Sequence, residues 1–292
     1  MSERTLLEWA AAGEWSALLA DLRALPAGRR RVAVRMREVD GDTALHYVCR
    51  GVFESEAERA RLARALIAAG ADVNAWSAEI VPPIAAAAYA GALPTVRALH
   101  AAGARLAVER RAGVPLLYVI ADAWARAAAN EAENSRAAAE AQALRDRLLG
   151  VARYLLRQGV DVNARTTQYR QTALFGAVDR GAGPVIALLL KATDIDLDAR
   201  DHLGLTVLHY AAHAGDRALA RRLLKAGARP DRQDRYGFTP LHEAAANGHV
   251  ALAQDLIRAG ASQTKRLRVA FGPYPKGATP LDVARLREAD VA

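Results

Sequence analysis

Short apolar blocks with helical spacing follow one another along this chain, and polar turns separate them. In one stretch Thr239 and Pro240 precede an apolar block that begins at Leu241, and a second block places Leu252 and Leu256 on one helical face. Threonine followed by proline is a favourable helix start, because the hydroxyl accepts a backbone N–H and proline needs no partner at the first helical position. The pattern predicts two short helices joined by a turn.

This two-helix frame is repeated along the chain. Gly204 and Gly237 occupy one slot of the frame, Gly227 and Gly260 occupy another, and the members of each pair are 33 residues apart. Self-similarity at this period, with a Thr-Pro-Leu-His start at residues 239–242, resembles the ankyrin repeat. The resemblance implies an all-α solenoid of helix-turn-helix units with short turn or hairpin tips. A single unit cannot bury its own apolar face, so neighbouring units must stack.

Copies of the frame extend over nearly the whole chain, which predicts a single ankyrin-repeat solenoid over residues 1–292 with about seven to eight units. Residues 1–37 hold a degenerate unit, typical of an N-terminal capping repeat, and residues 277–292 hold a partial unit that predicts a C-terminal cap. The unit at residues 114–163 contains 23 additional residues, rich in alanine and in charged residues that favour helix. We expect both helices of this repeat to be lengthened and to project from the solenoid, either as a passive extension or as part of a binding surface.

One slot just inside the first helix carries histidine, at His46, His209 and His242. Their spacing along a solenoid excludes a shared metal site, so we expect each imidazole to hydrogen-bond the turn of its own or the adjoining repeat. Cys49 is the only cysteine and lies where other repeats have alanine, which predicts a small buried thiol.

The sequence lacks the patterns of an enzyme active site. It shows no phosphate-cradling glycine loop, no metal-ligand motif and no nucleophile beside a base. We therefore predict a non-enzymatic protein with no catalytic residues, no cofactor and no bound metal. An enzymatic alternative depends on Asp179, Arg180 and His213, which could meet across adjacent repeats.

A formal net charge of +8 makes nucleic acid or another polyanion an alternative partner. The densest basic runs are residues 29–31 with Arg35 and Arg37, and residues 265–268, but neither has the interleaved aromatic residues of a single-strand binding platform. The chain shows no apolar run of membrane-spanning length and no secretory signal pattern. We expect a monomer, and the single cysteine favours the reducing cytoplasm.

In the family that this chain resembles, the turn tips and the exposed side of the first helix form a concave groove that binds partner proteins. Carried over slot by slot, the resemblance implies a partner-binding set of Tyr89, Tyr169, Asp179, Arg180, His202, His213, Arg235, Tyr236, Phe238 and Asn247. The same slots also contain Asp40, Asp42, Arg50, Glu79, Gln171 and Leu203.

Tyrosine and arginine recur in this set, and both are common anchors of protein interfaces. The alternative is that these side chains belong to solvated turns. The leading hypothesis is a recognition scaffold that binds a partner protein of unknown identity in the groove and could mask or neutralise it.

Overall fold

The structure is a computed structural model and describes residues 5–77, 81–107, 114–129 and 135–291. Within these ranges the regular elements are helices, with one isolated antiparallel bridge between Phe271 and Tyr274. The prediction of an all-α fold is confirmed. The chain divides into two compact units, Met1–Asp161 (unit 1) and Val162–Ala292 (unit 2). The single continuous domain stays a prediction.

Unit 1 consists of helices that pack mostly in pairs. Its helices in the described ranges are α1 (Leu6–Ala11), α2 (Trp15–Ala24), α3 (Ala27–Ala33), α4 (Ala44–Arg50), α5 (Glu56–Ala68), α6 (Pro83–Tyr89), α7 (Leu93–Ala101), α8 (Leu116–Ala129) and α9 (Ser135–Arg157). The pair α1 and α2 packs against α4 and α5, which in turn pack against α6 and α7. Each pair thereby buries a face that its neighbour leaves open.

Unit 2 repeats this arrangement of paired helices. Its helices are α10 (Ala173–Asp179), α11 (Gly183–Leu189), α12 (Val207–His213), α13 (Arg217–Lys225), α14 (Pro240–Ala246), α15 (Val250–Arg258) and α16 (Pro280–Val291). The first helices α10, α12, α14 and α16 pack in sequence, and the second helix α13 packs against α15. The predicted helix-turn-helix stacking is confirmed within each unit.

The repeat at residues 114–163 has longer helices than the others, as predicted. Helix α8 contains 14 residues and α9 contains 23, whereas α4, α6, α10, α12 and α14 contain seven each. The two long helices pack against each other. The Trp124 ring on α8 is buried, and the Arg145 guanidinium of α9 lies 5.2 Å from its centroid. This cation–π contact joins the additional turns of the two helices.

The histidine slot links each repeat to the next one. In α12 the Nδ1 atom of His209 lies 3.1 Å from the backbone nitrogen of Thr206 and accepts its N–H, which leaves the ring proton on Nε2. Nε2 donates to the carbonyl of Phe238 in the following repeat, at 3.1 Å. His46 and His242 make the equivalent two contacts, with Nδ1 towards the threonine of their own repeat and Nε2 towards the carbonyls of Val81 and Ala278 in the following repeats. The predicted hydrogen-bonding role of these imidazoles is confirmed.

Acid should destabilise unit 2 through these imidazoles. Burial lowers the pKa of His209 to about 4 and that of His242 to about 4, from an ordinary value of 6.5. Between these values the unfolded chain binds more protons than the folded chain. The contribution of these imidazoles to the free energy of unfolding is therefore fully present above pH 6.5. It decreases as the pH falls towards 4. Urea unfolding followed by circular dichroism at several pH values measures this dependence.

His209→Gln is the matched control, because it removes one of the titrating groups and keeps a polar side chain at the same position. We expect this variant to be less stable at neutral pH but to lose stability less steeply as the pH falls. If the free energy of unfolding depended on pH equally steeply in the wild type and the variant, His209 would not be one of the groups that cause this dependence.

Candidate functional site

A groove in unit 1 runs along α4, α6 and α8 and has a volume of about 540 Å³. Its lining is mostly apolar, and the small side chains of Ala85 and Ala86 on α6 leave space in it. Tyr89, the last residue of α6, lines the groove with 43% of its surface exposed. This predicted residue therefore lies where a partner side chain can contact it.

The lengthened repeat supplies another part of this unit 1 groove. Tyr118, Val119 and Asp122 all belong to α8 and line the groove. Tyr118 and Asp122 are four residues apart, so they share a helix face. Sequence analysis did not identify them, although their helical spacing was the available signal. The additional helical residues and the groove are thus part of one repeat.

An ion pair between a buried carboxylate and an exposed arginine lies in the lining of the unit 1 groove. Asp42 was expected at an exposed turn tip, but only 1% of it is exposed, which corrects that expectation. Its carboxylate accepts a hydrogen bond from the Arg50 guanidinium, which also lies 4.5 Å from the centre of the Tyr47 ring. The reason is that this slot points inward, as Phe238 does in unit 2. An aspartate in such a slot requires a cation beside it.

Arg50→Ala should destabilise unit 1 by roughly 1–3 kcal/mol, because it leaves the Asp42 carboxylate buried without its cation. Adding Asp42→Leu should recover much of this loss, since an apolar side chain suits the buried slot. Urea unfolding of the wild type, both single variants and the double variant measures the coupling. A double variant no more stable than Arg50→Ala would show that the unpaired Asp42 carboxylate is not what destabilises the Arg50→Ala variant.

A groove in unit 2 runs along α10, α12 and α14, with a volume of about 490 Å³. Asp179, His213 and Glu243 line it. His213 Nδ1 lies 3.2 Å from Glu243 Oε2, and the side-chain nitrogen of Asn247 lies 3.4 Å from the same imidazole nitrogen. Burial raises the pKa of Glu243, and the hydrogen bond with His213 opposes this shift. The predicted residues Asp179, His213 and Asn247 thus lie in or beside the unit 2 groove.

Arg180 follows the end of α10 and lies next to the Asp179 carboxylate, with 3.7 Å between the charged atoms. Its guanidinium also approaches the carbonyl of Gly176 at 3.4 Å. Of the three residues named for an enzymatic alternative, Asp179 and His213 line the same groove, and the imidazole is bonded to Glu243. This arrangement offers polar contacts to a partner.

The described part of the chain contains no group of three or more His, Cys, Asp and Glu side chains that could hold a metal ion. The Cys49 thiol is buried as predicted, and burial raises its pKa to about 12. In the described ranges no helix combines the length and the apolar character needed to cross a bilayer.

The turn tips of unit 2 surround a polar depression of about 460 Å³, the tip depression, which includes Arg165, Arg170, Arg200, His202, Arg235 and Arg268 in its lining. The predicted residues His202 and Arg235 belong to this lining. The exposed Tyr169 ring contacts the His202 ring edge to face, with 5.2 Å between centroids. The Tyr236 ring is half-buried and lies 5.0 Å from the Phe271 ring.

The prediction that Phe238 contacts a partner is wrong, because only 5% of this residue is exposed. Its side chain packs in a core cluster with Leu267, Ala278 and Val283. The long connection between α15 and α16 folds back over the slot, and Phe271 places its ring 5.6 Å from that of Phe238. The ring is therefore a structural contact of unit 2.

Two other predictions concern residues outside these three surfaces. Glu79 lies outside the described residues. The basic run at residues 29–31 lies on α3, where the Arg30 guanidinium donates to the carbonyls of Arg23 and Leu25 at 3.2 and 2.8 Å. Part of this run therefore stabilises unit 1. Nucleic-acid binding by the basic runs stays a prediction.

Comparison with known proteins agrees with the stacked helical pairs. The family model for the ankyrin repeat matches residues 40–78, and a model for three ankyrin repeat copies matches residues 193–266. The crystal structure of the human ASB11 ankyrin repeat domain is similar, with a TM-score of 0.64 and 21% sequence identity, covering 89% of this chain and 99% of that domain. This chain contains ankyrin repeats. Ankyrin repeats are protein-interaction modules.

The curated relatives match only part of this chain. Alpha-latrotoxin-Lg1a of Latrodectus geometricus is 36% identical over 78 residues, which is 27% of this chain and 6% of the toxin. The nuclear factor NF-kappa-B p105 subunit of Gallus gallus is 40% identical over 82 residues, which is 28% of this chain and 8% of that protein. The matched segment thus spans less than a tenth of either relative.

Proposed function

We propose that this ankyrin repeat protein is a non-enzymatic recognition module that binds a partner protein in the unit 1 groove. The observation that carries the proposal is a mostly apolar groove of about 540 Å³ with the exposed ring of Tyr89 in its lining. Concave apolar surfaces with a few polar groups are where proteins place binding sites. A monomer in the cytoplasm is part of the proposal, as the single buried cysteine first indicated.

The residues of the groove suit an anchor side chain from a partner. Ala85 and Ala86 present little more than backbone and methyl groups, so an inserted aliphatic or aromatic side chain meets no large obstacle there. Tyr89 and Tyr118 add aromatic area with few rotatable bonds, which limits the entropy lost on binding. Burial of such an anchor in a desolvated pocket supplies most of the free energy of a protein interface.

Polar groups give the groove its selectivity. The carboxylate of Asp42 already bonds to Arg50, and Asp122 bonds to Arg126 of the same helix at 3.0 Å. A partner therefore meets an apolar centre with ion pairs at its edges, the usual distribution in protein interfaces. The unit 2 groove, with His213 and Glu243, is a more polar surface that we assign to additional contacts with a partner.

Ala86→Arg should block the unit 1 groove and reduce partner binding at least about tenfold, because the long side chain occupies the space of the anchor. Ala101→Arg is the matched control, since Ala101 is an exposed residue at the end of α7. A photo-crosslinking amino acid at position 89, used in cells that express the protein, identifies what contacts the groove.

The proposal predicts one protein crosslinked at position 89, lost with Ala86→Arg and retained with Ala101→Arg. Equal capture by both arginine variants would exclude the groove as the binding site. A masking role is then tested by the activity of the captured protein with and without this chain.

A further inference from the structure

The tip depression of unit 2 is unlike the two grooves, because its lining is polar and rich in arginine. Most of the chain's excess positive charge lies in Val162–Ala292. Five arginines from successive turn tips line this one concavity: Arg165, Arg170, Arg200, Arg235 and Arg268. This excess of arginines over carboxylates in the lining indicates a site for an anion.

Backbone hydrogen bonds hold the turn tips in a fixed arrangement. The N–H of His202 donates to the carbonyl of Tyr169 at 2.9 Å, and the N–H of Arg235 donates to the carbonyl of Leu203 at 3.0 Å. Gly204 has a φ of +85°, and a Cβ added there would lie 3.0 Å from the Arg235 nitrogen, so glycine permits this close approach. The arginines therefore project from a rigid frame, which lowers the entropy cost of binding.

Several of these guanidinium groups are bonded to neutral oxygen atoms. Arg200 donates to the backbone carbonyl of Gln233, and Arg268 approaches the side-chain oxygen of the same residue at 3.4 Å. Arg235 donates to the backbone carbonyl of His202. Such bonds orient a guanidinium but leave its positive charge uncompensated. Arginine has five N–H donors, so further donors stay available to a ligand.

Arg170 contributes a second kind of observation. In the described part of the chain its guanidinium makes no hydrogen bond or ion pair, and it is the one non-glycine residue with positive φ, at 54°. Its N–H donates to the carbonyl of Thr166 at 3.0 Å, which helps hold this conformation. Residues kept in a sparsely populated conformation are concentrated at functional sites. The backbone thus presents an unbonded guanidinium to the tip depression.

Three carboxylates also line the depression, and its five arginines outnumber them. Asp201 and Asp234 are each 4% exposed and accept hydrogen bonds from backbone N–H groups of their own turns. Asp198 pairs with Arg229 and Arg232, at 3.2 and 3.1 Å. Arg165 also pairs with a carboxylate, that of Asp196, at 3.8 Å. The other four arginines of the lining face only Asp201 and Asp234, so the depression has a net positive charge.

We propose that the tip depression binds a phosphomonoester on a side chain of a partner protein. Guanidinium groups bind phosphate oxygens with paired hydrogen bonds, and the near-dianionic charge of a phosphorylated side chain matches a cluster of several arginines. Several arginines line one concavity, so more than one of them is available to a bound phosphate. The Tyr169 and His202 rings contact each other edge to face and do not form the row of open aromatic faces on which single-stranded nucleic acid stacks.

The test uses the full chain and a short fluorescein-labelled peptide of glycine and serine with one phosphoserine, measured by fluorescence anisotropy. The variant is Arg170→Asn with Arg268→Gln, because asparagine tolerates positive φ and glutamine can still donate to Gln233. Arg222→Gln with Lys225→Gln on α13 removes the same charge away from the depression and is the matched control. The single variant Arg170→Asn gives a second test that disturbs no side-chain bond.

We expect the phosphopeptide to bind the wild type and the control equally, and to bind the double variant at least about tenfold more weakly. The unphosphorylated peptide should not bind. Equal affinity for the double variant and the control would overturn the proposal, as would binding that does not require the phosphate. An oligothymidine that binds at the depression while the phosphopeptide does not would assign the site to a nucleic-acid backbone. None of these binding measurements depends on the unit 1 groove, so they test this proposal separately from the proposed function.

Discussion

At His46, His209 and His242 a buried imidazole joins the threonine that opens its own helix to a carbonyl of the following repeat. The helices that these residues open have only seven residues each, too few to be stable alone in water. Their stability must therefore come from contacts between repeats. One neutral imidazole satisfies a helix end and a turn carbonyl together, which is possible only at one separation between adjacent repeats.

The positions of the candidate binding surfaces follow from which residues hold the repeats together. The buried slots maintain the stack, so side chains at the ends of first helices and at the turn tips are free to vary in chemistry. In unit 1 the lengthened α8 brings Tyr118 to an apolar groove beside Tyr89. In unit 2 the turn tips carry arginines around a polar depression. The two surfaces therefore suit different ligands, one apolar and one anionic.

The features that depend on the repeat period were predictable from sequence. The threonine–proline helix start, the histidine contacts and the longer helices of one repeat all follow from local chemistry and spacing. The exposure of the slot before each helix start was not predictable, because it depends on what packs over it. The connection containing Phe271 covers Phe238, and Arg50 pairs with a buried Asp42. The arginine cluster also required the structure, since its members are distant in sequence.

The most direct test of this account is a long-range ¹⁵N–¹H correlation spectrum of the histidine rings at about pH 6. The account predicts that His46, His209 and His242 are neutral, with the proton on Nε2 and a bare Nδ1. Burial lowers the pKa of all three, which favours this neutral form. A proton on Nδ1, or doubly protonated rings at this pH, would contradict the claim that these imidazoles join one repeat to the next.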